Sequence, residues 1–189
     1  MNYDLSMIPT FETQRLILRP VTTKDLPSYQ KNFNDYEVIR YLASYVPWPY
    51  PEKGVEEFYY KMLLPKQGKD YWHWGLFLKD EPNETIGGID LWRNSAIDNR
   101  GFWLARKCWG KGYMTEAASR INDHAFDDLG FEILHFGNAI TNIGSRRIKE
   151  KTGATYKGTR PFKFVDPEVH DSQVWELTKA NWLKFRNKT

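Results

Sequence analysis

The sequence predicts an α/β protein with a mixed, mostly antiparallel β-sheet and helices on both of its faces. Short apolar runs of strand length alternate along the chain with stretches whose apolar residues recur every three or four positions. The two patterns meet in residues 101–130, where an apolar run leads into a basic, glycine-containing turn and then into a long amphipathic helix. At 189 residues, the chain is expected to form a single domain over residues 1–189.

The predicted order of elements is β-α-α-α-β-β-β-α-β-α-β-β. Strands are predicted at residues 15–21, 71–79, 85–92, 100–106, 133–140, 154–165 and 169–179. Helices are predicted at residues 24–33, 36–42, 52–64, 113–129 and 142–151. Three prolines make residues 45–51 an extended aromatic loop, because proline is excluded from helix interiors and from central strands.

Turn and cap residues set most of these boundaries. Thr22 followed by Asp25 predicts the N-terminal cap of the first helix, and Gly130 predicts the end of the long one. The polar turn at residues 80–84 predicts a hairpin, which the next strand extends into a three-stranded meander. The strand after the long helix is expected to lie parallel to the strand before it, and the last two strands are expected to pair antiparallel around Asp166.

Composition narrows the class of protein. The formal charge is +3, and basic residues are interspersed with acidic ones, so no tract invites nucleic acid. No apolar run approaches the roughly 20 residues that span a bilayer, and no secretory signal is recognisable. A single cysteine favours a reducing compartment. We therefore expect a cytoplasmic protein with neither a nucleic acid nor a membrane as partner. The sequence leaves the oligomeric state open. An aromatic surface, expected from eight Trp and eleven Tyr, makes a homodimer plausible.

The turn at residues 107–112 is a candidate phosphate site. Backbone N–H groups at a helix start lack partners within the helix, and the helix dipole makes that end electropositive. Gly110 and Gly112 permit close approach of a ligand, and Lys107 and Lys111 add positive charge. By itself this pattern fits an ordinary strand–helix connection at least as well. It matches neither GxGxxG nor a P-loop, which disfavours a dinucleotide or a nucleoside triphosphate as ligand.

Four segments together resemble the GNAT superfamily of acetyl-CoA-dependent N-acyltransferases, and within it the ribosomal-protein N-terminal (alanine/serine) acetyltransferase branch. They begin at Glu12, Gly87, Trp109 and Asn142, and they read ETQRLILRP, GGI, WGKGYMTEA and NIGSRRIKEKTG. Each segment is modest evidence alone, but all four stand in the family's order and at its spacing. The resemblance implies a GNAT-like acyl-CoA N-acyltransferase fold, whose sheet splays between the fourth and fifth predicted strands.

The same resemblance implies an enzyme that moves an acetyl group from acetyl-CoA to a primary amine by direct attack, with no metal and no covalent acyl-enzyme. The branch suggests a protein N-terminal amine as the acceptor. A polyamine, an amino acid or an amine antibiotic stays open as the acceptor, and a non-catalytic acyl-CoA-binding protein stays open as another class. A nucleic-acid module is a third reading, encouraged by a pI of 8.8, but it lacks a basic stripe.

The resemblance places the cofactor along the fourth predicted strand, the turn and the following helix start. A backbone N–H of Trp103 or Leu104 would polarise the thioester carbonyl, and Asn142 would hold the pantetheine arm. The candidate cofactor-binding residues are Trp103, Leu104, Lys107, Trp109, Gly110, Lys111, Gly112, Tyr113, Met114, Asn142, Ser145 and Arg146.

The reaction also needs an acid for the leaving sulfur and a base for the attacking amine. Ser145 is the candidate acid, because it falls at the third position of its helix if Asn142 is the cap; Tyr156 is the rival. Asp98, acting through water, is the candidate base. Asp90 and Glu116 are the alternatives.

Glu116 has a structural alternative as well, since it is expected to pair with Arg120 on an exposed helix face. The candidate walls of the acceptor site are Trp48, Tyr50, Trp72 and Trp92.

Three positions depart from the family's pattern. Lys107 stands where the superfamily usually has Gln or Arg, and Ala154 stands where an aromatic residue is common. Asn99 occupies the place where the branch often carries Glu, with Asp98 one residue away, and this leaves the identity of the base open.

Overall fold

The predicted α/β architecture is confirmed by the computed structural model, which describes residues 7–94 and 97–188. The first half of the chain forms β1 (Phe11–Glu12), β2 (Leu16–Arg19), α1 (Leu26–Phe33), α2 (Tyr36–Ile39), α3 (Gly54–Phe58), a π-helical turn (Tyr59–Leu63) and α4 (Leu64–Lys66). The second half forms β3 (Tyr71–Leu78), β4 (Gly87–Trp92), β5 (Arg100–Leu104), α5 (Tyr113–Asp123) with a π-helical continuation (His124–Asp128), β6 (Ile133–Ala139), α6 (Ile143–Glu150), β7 (Thr155–Pro161), β8 (Asp171–Thr178) and α7 (Lys179–Arg186).

The strands form two antiparallel groups. One has the order β1-β2-β3-β4-β5, and the other has the order β6-β8-β7. The hairpin of β3 with β4, its extension to β5, and the pairing of β7 with β8 are all confirmed. The two glycines at the start of β4 mark a close approach: a Cβ on Gly88 would lie 2.7 Å from the Trp103 Nε1 atom.

The two groups of strands meet at Asn99, directly before β5. The Asn99 N–H donates to the His135 carbonyl of β6 at 2.8 Å, and the His135 N–H donates to Asn99 Oδ1 at 2.9 Å. β5 and β6 share no ladder beyond this point. The splay predicted between the fourth and fifth strands is therefore the gap between β5 and β6.

Two apolar clusters pack on opposite faces of the larger group of strands. On one face, α5 buries Met114, Ala117, Ala118 and Ile121, which recur at helical spacing, against β2, β3 and β4. On the other face, α1, α2 and α3 bury Tyr29, Phe33, Ile39 and Val55. No helix in the described ranges is long and apolar enough to cross a bilayer. Apolar packing thus covers both faces of the larger group of strands, and the gap between β5 and β6 stays open.

Some predicted boundaries and partners need correction. β1 and α7 were not predicted, and the strand expected at 154–165 ends at Pro161. Glu116 does not pair with Arg120. It accepts hydrogen bonds from Arg15 Nε at 2.8 Å and from the Thr13 hydroxyl at 2.5 Å, because the start of β2 packs beside the first turn of α5. Arg120 instead lies over the Phe11 ring.

Candidate active site

A cleft of about 800 Å³ opens in the gap between β5 and β6. Its floor is the free edge of β5, one end is the turn before α5, and one wall is the first turn of α6. Aromatic side chains surround the other end, called here the aromatic mouth: Tyr41, Tyr45, Trp92, Phe162 and Phe164. The cleft therefore joins a polar, glycine-containing end to an aromatic one.

The ladder between β4 and β5 determines which backbone groups of β5 face the cleft. The Ala105 N–H donates to the Ile86 carbonyl at 2.8 Å, and β5 residues alternate between the two edges from there. Trp103 therefore pairs with Gly88, whereas Phe102 and Leu104 turn their N–H groups towards the cleft. By the same alternation on β6, Gly137 turns its backbone groups towards β5. Within the described residues, no ladder joins these two facing edges, although the Leu104 carbonyl accepts from Trp109 Nε1 at 2.7 Å.

The turn before α5 has the geometry that the sequence predicts. Gly110 and Gly112 have φ values of 74° and 81°, which favour glycine, and a Cβ on Gly110 would meet no atom within 4 Å. Among the described residues, no protein group accepts from the N–H groups of Tyr113, Met114 and Thr115 at the helix start. These donors and the helix dipole make the turn a suitable place for an anion.

Eleven of the predicted site residues line the cleft. They are Trp92, Asp98, Trp103, Leu104, Trp109, Gly110, Gly112, Tyr113, Met114, Asn142 and Ser145. The N-terminal cap of α6 is as expected, because the Ser145 N–H donates to Asn142 Oδ1 at 3.0 Å. Ser145 therefore stands at the third position of the helix, beside the gap.

The other predicted residues lie elsewhere. Lys107 Nζ is bound to both oxygens of Glu84 at 2.7 Å, so its charge already has a partner. Lys111 is exposed and does not line the cleft. Tyr156 makes an edge-to-face contact with Trp175 and lines a separate pocket, which Arg146 also lines.

Three of the four proposed acceptor walls also face away from the cleft. Trp72 is 4% exposed and packs in the core beneath the sheet, against Phe131. Tyr50 packs on Phe33, and Trp48 packs on Tyr36. Trp92 alone of these four lines the cleft.

Asp98 lies where Gly137 of β6 comes closest to the β5 side. A Cβ on Gly137 would lie 2.8 Å from Asp98 Oδ1, so a larger residue there would displace the Asp98 carboxyl group. Burial raises the pKa of Asp98, and the positive charges of Arg160 and Lys149 oppose that shift. Arg160 Nη2 donates to Asp98 Oδ2 at 3.1 Å. This carboxyl group holds a proton more readily than an exposed aspartate does.

Two buried cations beside Asp98 were not expected from the sequence. Arg100 on β5 is 5% exposed; burial lowers its pKa to about 9, and its Nη1 donates to Asn122 Oδ1 at 2.5 Å. Lys149 on α6 is 1% exposed. In the sequence, Lys149 resembles its solvated basic neighbours, and the one signal is its position four residues after Ser145, on the same helix face.

A third group lies on the sheet face that carries the aromatic mouth. Asp90 Oδ1 accepts from the Tyr71 hydroxyl and contacts His73 Nδ1, each at 2.5 Å. Gly101 has no Cβ, and a Cβ built at that position would lie 3.7 Å from Asp90 Oδ2. Asp90 is therefore fixed by two neighbours and covered by no side chain at residue 101.

Cys108 adjoins the turn but is buried, and burial raises the pKa of its thiol. A protonated thiol is a poor nucleophile, so this geometry offers no support for a covalent acyl-cysteine.

A strand with an open edge, a glycine turn at a helix start and a parted neighbouring strand define an acyltransferase fold, and comparison with known proteins agrees. Residues 15–155 match the family model of the acetyltransferase (GNAT) domain. The chain belongs to this family.

Relatives and solved structures extend over most of the chain. The probable N-acetyltransferase YjcK of Bacillus subtilis is 32% identical over 148 residues, which are 76% of this chain and 76% of that protein. The uncharacterized N-acetyltransferase YoaA of the same organism is 25% identical over 183 residues, covering 92% and 98%. The ribosomal-protein-S5-alanine acetyltransferase of Vibrio fischeri is 15% identical, covers 92% of this chain and 98% of its own, and superposes with a TM-score of 0.76. That likeness supports the fold alone.

Proposed function

We propose that this protein transfers an acetyl group from acetyl-CoA to a primary amine, and that the favoured acceptor is a protein N-terminal amine. The observation that supports this most directly is the pair of unpaired strand edges, on β5 and β6, which face each other across a cleft continuous with the glycine turn. An extended arm that carries amides can hydrogen-bond to both edges only where two strands have parted.

The binding roles follow from the directions of the backbone groups. The free N–H groups of residues 113–115 are placed to hold the diphosphate, aided by the helix dipole. Of the two predicted donors to the thioester carbonyl, Leu104 is the better candidate, because the Trp103 N–H belongs to the ladder with β4. Phe102 offers a second N–H on the same edge. One such donor is typically worth about 3–4 kcal/mol in the transition state.

The proton-transfer roles go to Asp98 and Ser145. Asp98 lines the cleft, and its raised pKa suits a group that must accept a proton near neutral pH. A chain-terminal amine, with a pKa of about 8, is neutral in roughly a tenth of molecules at pH 7, whereas a lysine amine, with a pKa of about 10.4, is almost wholly charged. A single carboxylate that is hydrogen-bonded to Arg160 is therefore better matched to a terminal amine than to lysine. Ser145 stands at the cleft wall as the proton donor to the leaving sulfur.

A thiol-release assay with acetyl-CoA tests this proposal. The acceptors are a peptide with a free N-terminal alanine or serine, the same peptide blocked at its N-terminus but carrying lysine, spermidine and an aminoglycoside. We expect the free N-terminal peptide to be the best acceptor. Asp98→Asn should lower kcat/KM about 100-fold at pH 7, with a smaller loss at higher pH, because the amine then deprotonates unaided.

Asp90→Asn is the comparison variant, because Asp90 is the alternative candidate base and lies on the neighbouring strand, β4. A larger loss in Asp90→Asn than in Asp98→Asn would give the role of base to Asp90. Preference for spermidine or the aminoglycoside would contradict the assigned acceptor. Binding of coenzyme A without thiol release on any amine would identify a non-catalytic acyl-CoA binder.

A further inference from the structure

Lys149 is a buried amine that none of the roles above uses. It lies on the inward face of α6 with 1% of its surface exposed. Its Nζ donates to Ser145 Oγ at 2.8 Å, and within the described ranges Ser145 is its one hydrogen-bond acceptor. The Phe102 ring of β5 lies 5.5 Å from the same nitrogen. Lys149 thus lies one helical turn after the predicted acid and, unlike Ser145, does not line the cleft.

The surroundings of Lys149 do not favour an ammonium group. Burial lowers the pKa of Lys149 well below its ordinary value, the positive Arg100 lowers it further, and Asp98 opposes both effects. A buried cation with one neutral acceptor and no hydrogen-bonded carboxylate is destabilising, and an apolar side chain of similar size would serve the fold better. Such costly groups are concentrated at functional sites.

The hydrogen bond from Lys149 also restricts the orientation of the Ser145 hydroxyl. Lys149 occupies a lone pair of Oγ as donor, so the hydroxyl hydrogen must point elsewhere. Among the described residues no group accepts it, and Ser145 lines the cleft. While Lys149 is the donor in this bond, the hydroxyl hydrogen of Ser145 is free to point into the gap between β5 and β6, where the proposed function places the sulfur of the thioester.

A serine hydroxyl is a much weaker acid than a thiol, whose pKa is about 8.5. Ser145 alone would be left as an unstable alkoxide after it gave its proton to a thiolate. An ammonium group already hydrogen-bonded to Oγ removes this obstacle, because it can refill the oxygen in the same step.

We propose that Lys149 is a positioning residue that acts through Ser145: it holds Oγ as an acceptor and replaces its proton as the hydroxyl hydrogen passes to the leaving sulfur. The C–N bond forms and the C–S bond breaks, the sulfur gains the Ser145 proton, Ser145 gains one from Lys149, and the neutral Lys149 recovers a proton from solvent. The proton lost by the amine leaves through Asp98. This inference rests on the proposed function.

A double-mutant cycle of Lys149→Met and Ser145→Ala tests it, with kcat, the KM for acetyl-CoA, the dissociation constant of coenzyme A and the Tm of the unliganded protein as readouts. Lys149→Met should lower kcat at least tenfold and change the KM and the dissociation constant by less than twofold. Its Tm should equal or exceed that of the wild type, because an apolar side chain replaces a buried cation. In the Ser145→Ala background, Lys149→Met should lower kcat less than twofold further.

Three results would overturn the inference: an unchanged kcat in Lys149→Met, losses that multiply in the double variant, or a kcat loss accompanied by a lower Tm and weaker coenzyme binding. Lys149→Leu repeats the measurement if the methionine variant is not obtained folded. A wild-type protein that releases no thiol with any amine contradicts the proposed function instead. The two failures are therefore distinguishable.

Discussion

At the scale of single residues, Asp25 shows how one buried carboxylate joins a strand to a helix. Its two oxygens accept from both terminal nitrogens of Arg19 at 2.8 Å, and one of them also accepts from the Thr22 N–H and hydroxyl. Burial alone would raise the pKa of Asp25, but the bonds from Arg19 and Thr22 outweigh it, so the pKa lies below its ordinary value. The carboxylate therefore stabilises the fold only while it is ionised.

Asp25→Asn should lower the free energy of unfolding at pH 7 by about 2–3 kcal/mol, because a neutral amide cannot satisfy Arg19 and Thr22 together. The native pKa is depressed, so the contribution of Asp25 is present above the unfolded pKa of about 3.9 and is lost as the pH falls through the lower native value. Urea unfolding at several pH values measures this. Asp80→Asn, in the exposed turn after β3, is the control and should change little. A difference that does not shrink in acid would contradict this account.

Residues were predictable from the sequence where a local rule applied to them. The place of Ser145 at the third position of α6 follows from Asn142 as the N-terminal cap. The role of Gly112 follows from the positive φ that the turn requires. Lys149 was not predictable, because the three basic residues of α6 look alike until the fold shows which one faces inward. Trp72 was misplaced for the opposite reason: alternation along a strand does not say which face of the sheet carries the site.

At the scale of elements, the connection from β5 to α5 determines the anion site. The chain leaves β5 through a short 3₁₀ turn, Arg106–Cys108, and enters α5 with Gly112 in the left-handed region. A side chain at residue 112 would be strained by this backbone and would lie beside Arg15 Nη2, 3.4 Å from its Cβ. Size and charge at this residue can therefore be tested separately.

Gly112→Asp should abolish coenzyme A binding, because it adds an anion where the diphosphate is proposed to lie. Gly112→Ala is the matched control: it carries the backbone strain, about 1–2 kcal/mol, without the charge, and should weaken binding only modestly. Isothermal titration calorimetry on both variants measures the difference. Equal affinity in the two variants would exclude the turn as the diphosphate site.

Most helices and strands could be predicted from the periodicity of apolar residues and from the turn residues between them, as the hairpin of β3 and β4 illustrates. Two were missed because their signals are weak. β1 has two residues, too few to show a period. α7 begins at Lys179, after Thr178, whose hydroxyl oxygen accepts from the Asn181 N–H as the N-terminal cap. This threonine also ends the strand β8, so the sequence pattern assigns it to the strand.

At the scale of the whole molecule, the cleft exists because the sheet is complete on one side and parted on the other. β2, β3, β4 and β5 are joined by continuous ladders and covered by apolar clusters on both faces. The parting of β5 from β6 was implied by family resemblance and not by composition or periodicity. The sequence of an apolar strand does not show whether its backbone is hydrogen-bonded to a neighbouring strand, because the pattern of side chains carries no information about backbone partners.

A ligand that binds the folded protein alone should stabilise the whole molecule. Coenzyme A at 100 times its dissociation constant should add about 2.7 kcal/mol, which corresponds to a rise in Tm of about 5–10 °C for a chain of this size. Differential scanning fluorimetry measures the shift. Adenosine at the same concentration is the control and should shift the Tm less, since it carries no diphosphate. Equal Tm shifts with coenzyme A and adenosine, or no Tm shift with coenzyme A, would contradict acetyl-CoA as the proposed donor.

The Asn99 bridge to β6 has a consequence for the kind of thioester that can react. The five residues of β5, Arg100–Leu104, extend from this bridge towards the turn and span about 17 Å. A donor anchored by its anionic end at the turn is proposed to lie along this edge, with its acyl group towards Asn99 and Asp98. A truncated thioester that lacks the anionic end would have no anchor, and one with a shorter arm would stop before the reacting groups. Under the proposed function, we therefore expect the length of the acyl carrier to be selected by the backbone of the cleft before any side chain contacts the acyl group.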